Sequence, residues 1–234
     1  MTIIFNDFNS DNFGLKQLTR SMDTLQEQEI TESIPGVQGT VDYSMMFGQR
    51  MFQPQTITYT FQKYIYDAVE RAGQEALIRN SLSRFGLSRL YDSYIPENYY
   101  FLAKCNPAIT NDVQYQKLTV TLAFTCNPPF MFCEIPEGNN DEWDTFNFDY
   151  DVNQDTSFTV NNDDVVPLIN PGSAAVQPKI TVTGTISVTV NGNTVSFTAG
   201  TYENTLIYLL PGMNSLTLTG AGTISFEFYK ELVA

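Results

Sequence analysis

The chain has 234 residues, 42 % of them hydrophobic and 13 % aromatic, a formal net charge of −14 and no histidine. That much apolar surface can build one large all-β domain or two of ordinary size, and it excludes a chain that is disordered throughout. The missing histidine excludes Ser-His-Asp and Cys-His catalysis, and 12 basic against 26 acidic residues exclude a surface that grips nucleic-acid phosphates or anionic lipid.

No stable nucleic-acid binding and no membrane insertion are therefore expected. Met1-Thr2-Ile3-Ile4-Phe5 runs at once into Asn6-Asp7, so no secretion signal is read there. No run approaches the roughly 20 apolar residues of a membrane span. Cys105, Cys126 and Cys133 are odd in number and form no CxxC pair, which predicts buried free thiols in a protein made in a reducing cytosol.

In chain order, Thr56-Ile57-Thr58-Tyr59-Thr60-Phe61 alternates polar and apolar residues with period two, as a half-buried strand does. A helix over about 66–85 follows. Asp67 and Glu70 have capping-box spacing, Ile65, Val69, Ala72 and Ala76 define its inward face, and Gly86 marks a left-handed C-cap. Lys117 to Phe124 is a second alternating strand, with Leu118, Val120, Leu122 and Phe124 on one face.

A domain boundary is placed at Asn127-Pro128-Pro129-Phe130, giving domains 1–130 and 131–234. The charge divides there too: the first part carries 10 basic and 13 acidic residues, the second 2 and 13. Beyond it, Ile186–Val190 and Asn193–Phe197 flank Asn191-Gly192, the strongest short hairpin signal. A two-residue loop sets Val188 opposite Val195 and Ile186 opposite Phe197, so pattern and turn agree on one apolar face. Gly184 and Gly220-Ala221-Gly222 also read as turns, the latter joining Leu216–Leu218 to Ile224–Phe228. Many short strands predict a second β-sandwich.

The acidic stretch 134–164 is the one place where chemistry is tempting. Asp149, Asp151, Asn153 and Asp155 are spaced like the first ligands of a calcium loop, but Gln154 replaces the loop glycine and Val160 stands at the twelfth position instead of Glu. Phe148, Tyr150 and Val152 alternate with them, so the stretch reads as a solvated strand. Trp143 beside Asp141, Glu142 and Asp144 could belong to a carbohydrate-binding module for host cell-wall polysaccharide; the favoured reading is a core residue or plug at the domain junction. Abundant carboxylates do not amount to a glycosidase pair. No catalytic, cofactor or metal residue is nominated, and no enzymatic activity is expected.

Ile3-Ile4-Phe5-Asn6-Asp7 with Phe13-Gly14-Leu15, then Ile34-Pro35-Gly36-Val37-Gln38-Gly39-Thr40-Val41-Asp42, Phe47-Gly48-Gln49-Arg50, the strand through Phe61 and the helix form an ordered set. With Leu210-Pro211-Gly212-Met213-Asn214-Ser215-Leu216, this set resembles the distal tail (Dit) proteins of long-tailed phages of Gram-positive bacteria. The resemblance implies a mainly β protein: an N-terminal β-sandwich with one helix that assembles six copies into a ring, and a galectin-like C-terminal sandwich on its periphery. It implies a place in the virion, at the tail tip or baseplate, around the DNA exit channel. The implied partners are further copies of the chain, the tail tube protein, the tail-tip hub or tail-associated lysin protein, the tape measure protein and a receptor-binding protein. Relatives sometimes carry sugar-binding insertions, for which 131–234 leaves no room.

Overall fold

The computed structural model describes residues 2–36, 38–46, 50–138 and 146–233. Contacts divide the chain between Met131 and Phe132 into two compact units. As the alternating patterns predict, the protein is mainly β, with one α-helix among the described residues.

The first unit holds β1 (Ile3–Phe5), β2 (Phe8–Asn9), β3 (Lys16–Met22), β4 (Thr31–Glu32), β5 (Val41–Asp42), β6 (Gln55–Tyr64), α1 (Ala68–Ser83), β7 (Ser88–Asp92), β8 (Tyr99–Asp112) and β9 (Lys117–Cys133), the last continuing into the second unit. Its main sheet runs β2-β1-β7-β8-β9-β6-β3. Both predicted strands are found: Ile57, Tyr59 and Phe61 of β6 and Leu118, Val120, Leu122 and Phe124 of β9 are fully buried. β9 passes through Pro128-Pro129 because its pairing with β6 ends at Cys126, so the missing N–H groups cost no bond on that side.

This sheet is rolled. β1 lies three strands from β9, roughly 14 Å away in a flat sheet, yet the rings of Phe5 and Phe124 meet edge to face at 5.2 Å. Asp92, at the end of β7, ties the two layers. Its carboxylate accepts from Tyr59 Oη of β6 at 2.6 Å, from Arg20 Nε of β3 at 2.8 Å and from Tyr94 N at 3.0 Å. Burial first, then the neighbouring carboxylate, pushes the Tyr59 phenol well above its ordinary range, so it stays a donor.

Helix α1 is capped as expected, Asp67 accepting from Glu70 N at 3.0 Å. Its inward face differs from the sequence reading. Val69, Ala72 and Ala76 are exposed, whereas Arg71, Ile78 and Leu82 are buried. Two large branched side chains outweigh a stripe of small ones. The Arg71 guanidinium is satisfied by Ile65 O at 2.6 Å and Asn111 Oδ1 at 2.7 Å. The helix ends in ordinary right-handed geometry at Arg84, and Gly86 is not left-handed.

The second unit holds β10 (Ser157–Asn170), β11 (Lys179–Val190), β12 (Asn193–Phe197), β13 (Gly200–Tyr202), β14 (Gly212–Glu227) and β15 (Glu231–Val233). Its sheet runs β10-β14-β11-β12, with β13 also on β11. The Asn191-Gly192 hairpin has the predicted register, Val188 opposite Val195 and Ile186 opposite Phe197. Both turn residues have positive φ, 50° and 80°, as a type I′ turn requires.

Gly220-Ala221-Gly222 is not a turn, and neither is Gly184. All lie inside continuous strands, where Gly184 faces Gly222 across the ladder and Ile186 faces Gly220. Their φ values of 100°, 133° and 141° are open to glycine but not to other residues. A Cβ on Gly222 would lie 1.7 Å from Thr183 O, and one on Gly220 2.2 Å from Thr185 O. The long strands thus bend together along a line of glycines. Ile180, Val182, Ile224 and Phe226 on one side of the line share one buried cluster with Ile186, Val188, Leu216 and Leu218 on the other. The sheet folds over itself and buries a single face as a sandwich.

The acidic stretch is tied down by one cation. Lys230 Nζ donates to Glu137 Oε1 at 2.8 Å and also to Asp151 Oδ1, with the Lys230 and Glu137 side chains almost fully buried. Burial pushes Glu137 above its ordinary 4.5. Burial opposes the Lys230 charge too, but hydrogen bonds to Asp151 and Glu137 outweigh it and raise its pKa.

Gly192→Val strains only a turn with open space around it and should cost about 1–3 kcal/mol, whereas Gly222→Val meets backbone and should exceed about 4 kcal/mol; thermal melts of the full chain rank the two. Lys230→Met leaves buried carboxylates without a counter-charge and should destabilise by about 3–5 kcal/mol at neutral pH. Because the folded Glu137 value lies above the unfolded one, its contribution is complete below pH 4.5 and is lost as pH rises through the folded value. The penalty of Lys230→Met should therefore shrink on acidification, which urea unfolding at neutral and acid pH measures.

Candidate functional site

Two of the residues with calcium-loop spacing, Asp149 and Asp151, are engaged in other contacts. Asp151 is engaged by Lys230 and accepts from Asn147 N at 2.6 Å, while Asp149 N donates to Asn147 Oδ1 at 2.9 Å in a local turn. Nor is the stretch a strand: residues 148–150 form a turn, with Phe148 and Tyr150 exposed. The alternation there reflects a turn that faces water, with Phe146 and Phe148 in edge-to-face contact at 5.1 Å. Among the described residues no three His, Cys, Asp or Glu side chains are grouped to hold a metal. Trp143, with Asp141, Glu142 and Asp144, lies outside the described residues, as do Val37 and Phe47-Gly48-Gln49.

The cysteines are free, Cys126 and Cys133 buried and Cys105 half-buried. Burial pushes the Cys105 and Cys126 thiols up to about 12, so neither is a nucleophile near neutral pH. No helix among the described residues is long and apolar enough to cross a membrane.

What the first unit offers instead is exposed apolar surface. The connection from β3 to β6 is an antiparallel ribbon that prolongs that strand pair. Its rungs are Asp23 N to Thr56 O, Gln53 N to Gln26 O, Gln28 N to Met51 O and Tyr43 N to Ile30 O, then β4 on β5. Gly36, with φ of 89°, sits at its tip in the Ile34-Pro35-Gly36 turn. Among the described residues of 23–54 only Ser44 is buried, so the arm has no core of its own. Ile30, Ile34, Met45, Met46 and Met51 are all exposed. The motif at 34–42 and Arg50 lie in this arm, but in the sequence they mark only a family resemblance and no exposed apolar surface.

A second feature is a groove of about 570 Å³ along the C-terminal half of α1, lined by Phe13, Leu77, Asn80, Ser81, Ser83 and Arg84. Leu77 is 56 % exposed, and Phe8 stacks under Phe13 at 5.3 Å. A cluster of exposed Tyr64, Tyr66, Val113 and Tyr115 lies where the end of β6 meets the β8–β9 turn.

The outer face of the second unit is different in kind. Thr183 pairs with Thr223 at 2.6 Å, Ser187 with Ser196 at 2.8 Å and Thr189 with Thr194 at 2.8 Å, hydroxyl to hydroxyl across the strands. This polar face spends much of its hydrogen-bonding capacity on itself. At one end, Asn214 closes the Leu210-Pro211-Gly212 turn, accepting from Leu210 N at 2.9 Å and donating to Leu210 O at 2.8 Å.

No protein-family model and no curated protein matches the sequence. Among solved structures, the chain is similar to SPP1 Dit, described as a paradigm of the hub adsorption apparatus in phages that infect Gram-positive bacteria. The likeness has a TM-score of 0.65 at 13 % identity and covers 98 % of each chain. From its first strand to its last, this chain shares the fold of the phage protein SPP1 Dit.

Proposed function

We propose that the protein is a distal tail protein, a non-enzymatic structural component of a phage tail tip. Six copies form a ring that joins the tail tube protein to the hub or lysin-bearing tip protein and surrounds the DNA exit channel, with the tape measure and receptor-binding proteins as further neighbours. Residues 1–130 form the ring and 131–234 a galectin-like peripheral domain. The observation that carries this reading is the match in fold along 98 % of both chains to SPP1 Dit, which requires both units in the same order. The ordered motifs of the sequence and the coreless arm of the first unit are what a ring subunit needs. The ring-forming residues 1–130 carry 10 basic and 13 acidic side chains, so a passage they line lacks the basic excess that would hold DNA.

The purified full-length protein should sediment at about six chain masses and appear as rings in negatively stained images; a strict monomer at micromolar concentration overturns the reading. The assembled protein should not shift duplex DNA in a gel titration at low salt, where screening is weakest. Saturable micromolar binding would show that the channel walls grip DNA.

A further inference from the structure

An antiparallel ribbon with no third strand or packed face is marginal in water. The 23–54 arm is such a ribbon apart from its base, where Phe52 meets Phe130 edge to face at 6.0 Å, and it exposes Met45 at 54 % and Met46 at 65 %, unbranched side chains that adapt to an apolar partner. The arm is also acidic, with Asp23, Glu27, Glu29, Glu32 and Asp42 against Arg50 alone. Residues 131–234, with 13 acidic and 2 basic side chains, would repel it. The rest of residues 1–130 carries nine basic against eight acidic side chains.

Within that body, the α1 groove has what the arm lacks. Its floor is apolar, from Phe13 and Leu77, and its rim carries Arg84, whose side chain is 73 % exposed and held only loosely by Asp7 at 3.9 Å. Lys63 Nζ adds a second positive charge beside it, donating to Phe13 O at 2.8 Å. The arm and the groove are different surfaces of one chain, so joining them between copies is head to tail, the kind of contact that closes into a ring.

We propose that the 23–54 arm of one copy docks into the Phe13–Leu77–Arg84 groove of the next, through Met45 and Met46 and the arm's carboxylates. This rests on the ring reading and names the contact that closes it.

Two full-length double variants test it: Met45→Asp with Met46→Asp in the arm, and Leu77→Glu with Arg84→Glu in the groove. All four side chains are exposed, so the fold does not depend on them. Each variant alone should lose the ring and run as a monomer where the wild type assembles. Mixed one to one, they retain one intact arm and one intact groove, and should give a heterodimer of two chain masses with no ring.

Rings from either variant alone, or a mixture that stays monomeric, would overturn the arm–groove contact while leaving the ring reading standing. A monomeric wild type would overturn the ring reading and this contact with it. If either charge variant fails to fold, the Met46→Cys, Leu77→Cys double variant replaces it. Mild oxidation should link its chains to one another as a ladder up to six chains on a non-reducing gel, and absence of the ladder overturns the contact.

Discussion

Each of the two main sheets must cover its own apolar face, because the one helix among the described residues cannot cover both. A flat sheet with one hydrophobic side would leave that side in water, so the chain bends each sheet until the face closes on itself. In the first unit the bend brings β1 over β9 and leaves Asp92 between layers, where it accepts from donors on β3 and β6 at once. A carboxylate buried this deeply is tolerable only because Arg20 carries the opposite charge and the remaining lone pairs are occupied. In the second unit the bend is made possible by the absence of side chains. Glycines at 184, 220 and 222 remove the side chains that would otherwise strike the neighbouring strand.

The polar groups that are buried share one logic. Arg71, Asp92 and Lys230 each sit where a segment that is not part of a sheet joins one that is, and each is satisfied by several partners from separate elements. Such networks contribute little net stability against a well-packed apolar alternative, but they allow one arrangement of the joined segments. In the proposed ring, where every copy would present the same surfaces, a unique geometry would be worth more than additional stability.

The two units divide the surface accordingly. The first exposes apolar side chains on an arm, a groove and a tyrosine cluster, which in an isolated chain is an aggregation hazard and in an assembly is interface. The second presents hydroxyls paired with one another and most of the negative charge, with Phe148, Val165, Leu206 and Met213 as scattered exposed apolar side chains. Net negative charge of that size makes copies of the chain repel one another through this unit.

The sequence by itself determined what depends on nearest neighbours along the chain. Strands β6 and β9 were legible because alternation at Ile57, Tyr59 and Phe61, and from Leu118 to Phe124, is a local consequence of pleating. The Asn191-Gly192 hairpin was legible down to its register, since turn type and apolar pattern constrain each other within a dozen residues. The Asp67 cap is likewise a contact three residues long. Only the tertiary structure decided the rest. Gly220-Ala221-Gly222 has the composition of a turn, and it is a crease because Thr183 and Thr185 on a strand some 35 residues earlier press their carbonyls against it. The helix turned its Ile78 and Leu82 face inward, with Arg71, because β8 supplies Asn111 to the guanidinium, a partner no helical period can reveal. Asp151 faces Lys230 and not a calcium-loop centre, because the buried Lys230 ammonium needs counter-charges, which Asp151 and Glu137 supply from far along the chain. Pattern reports which residues seek cover; which element provides it is settled by contacts that span the whole chain.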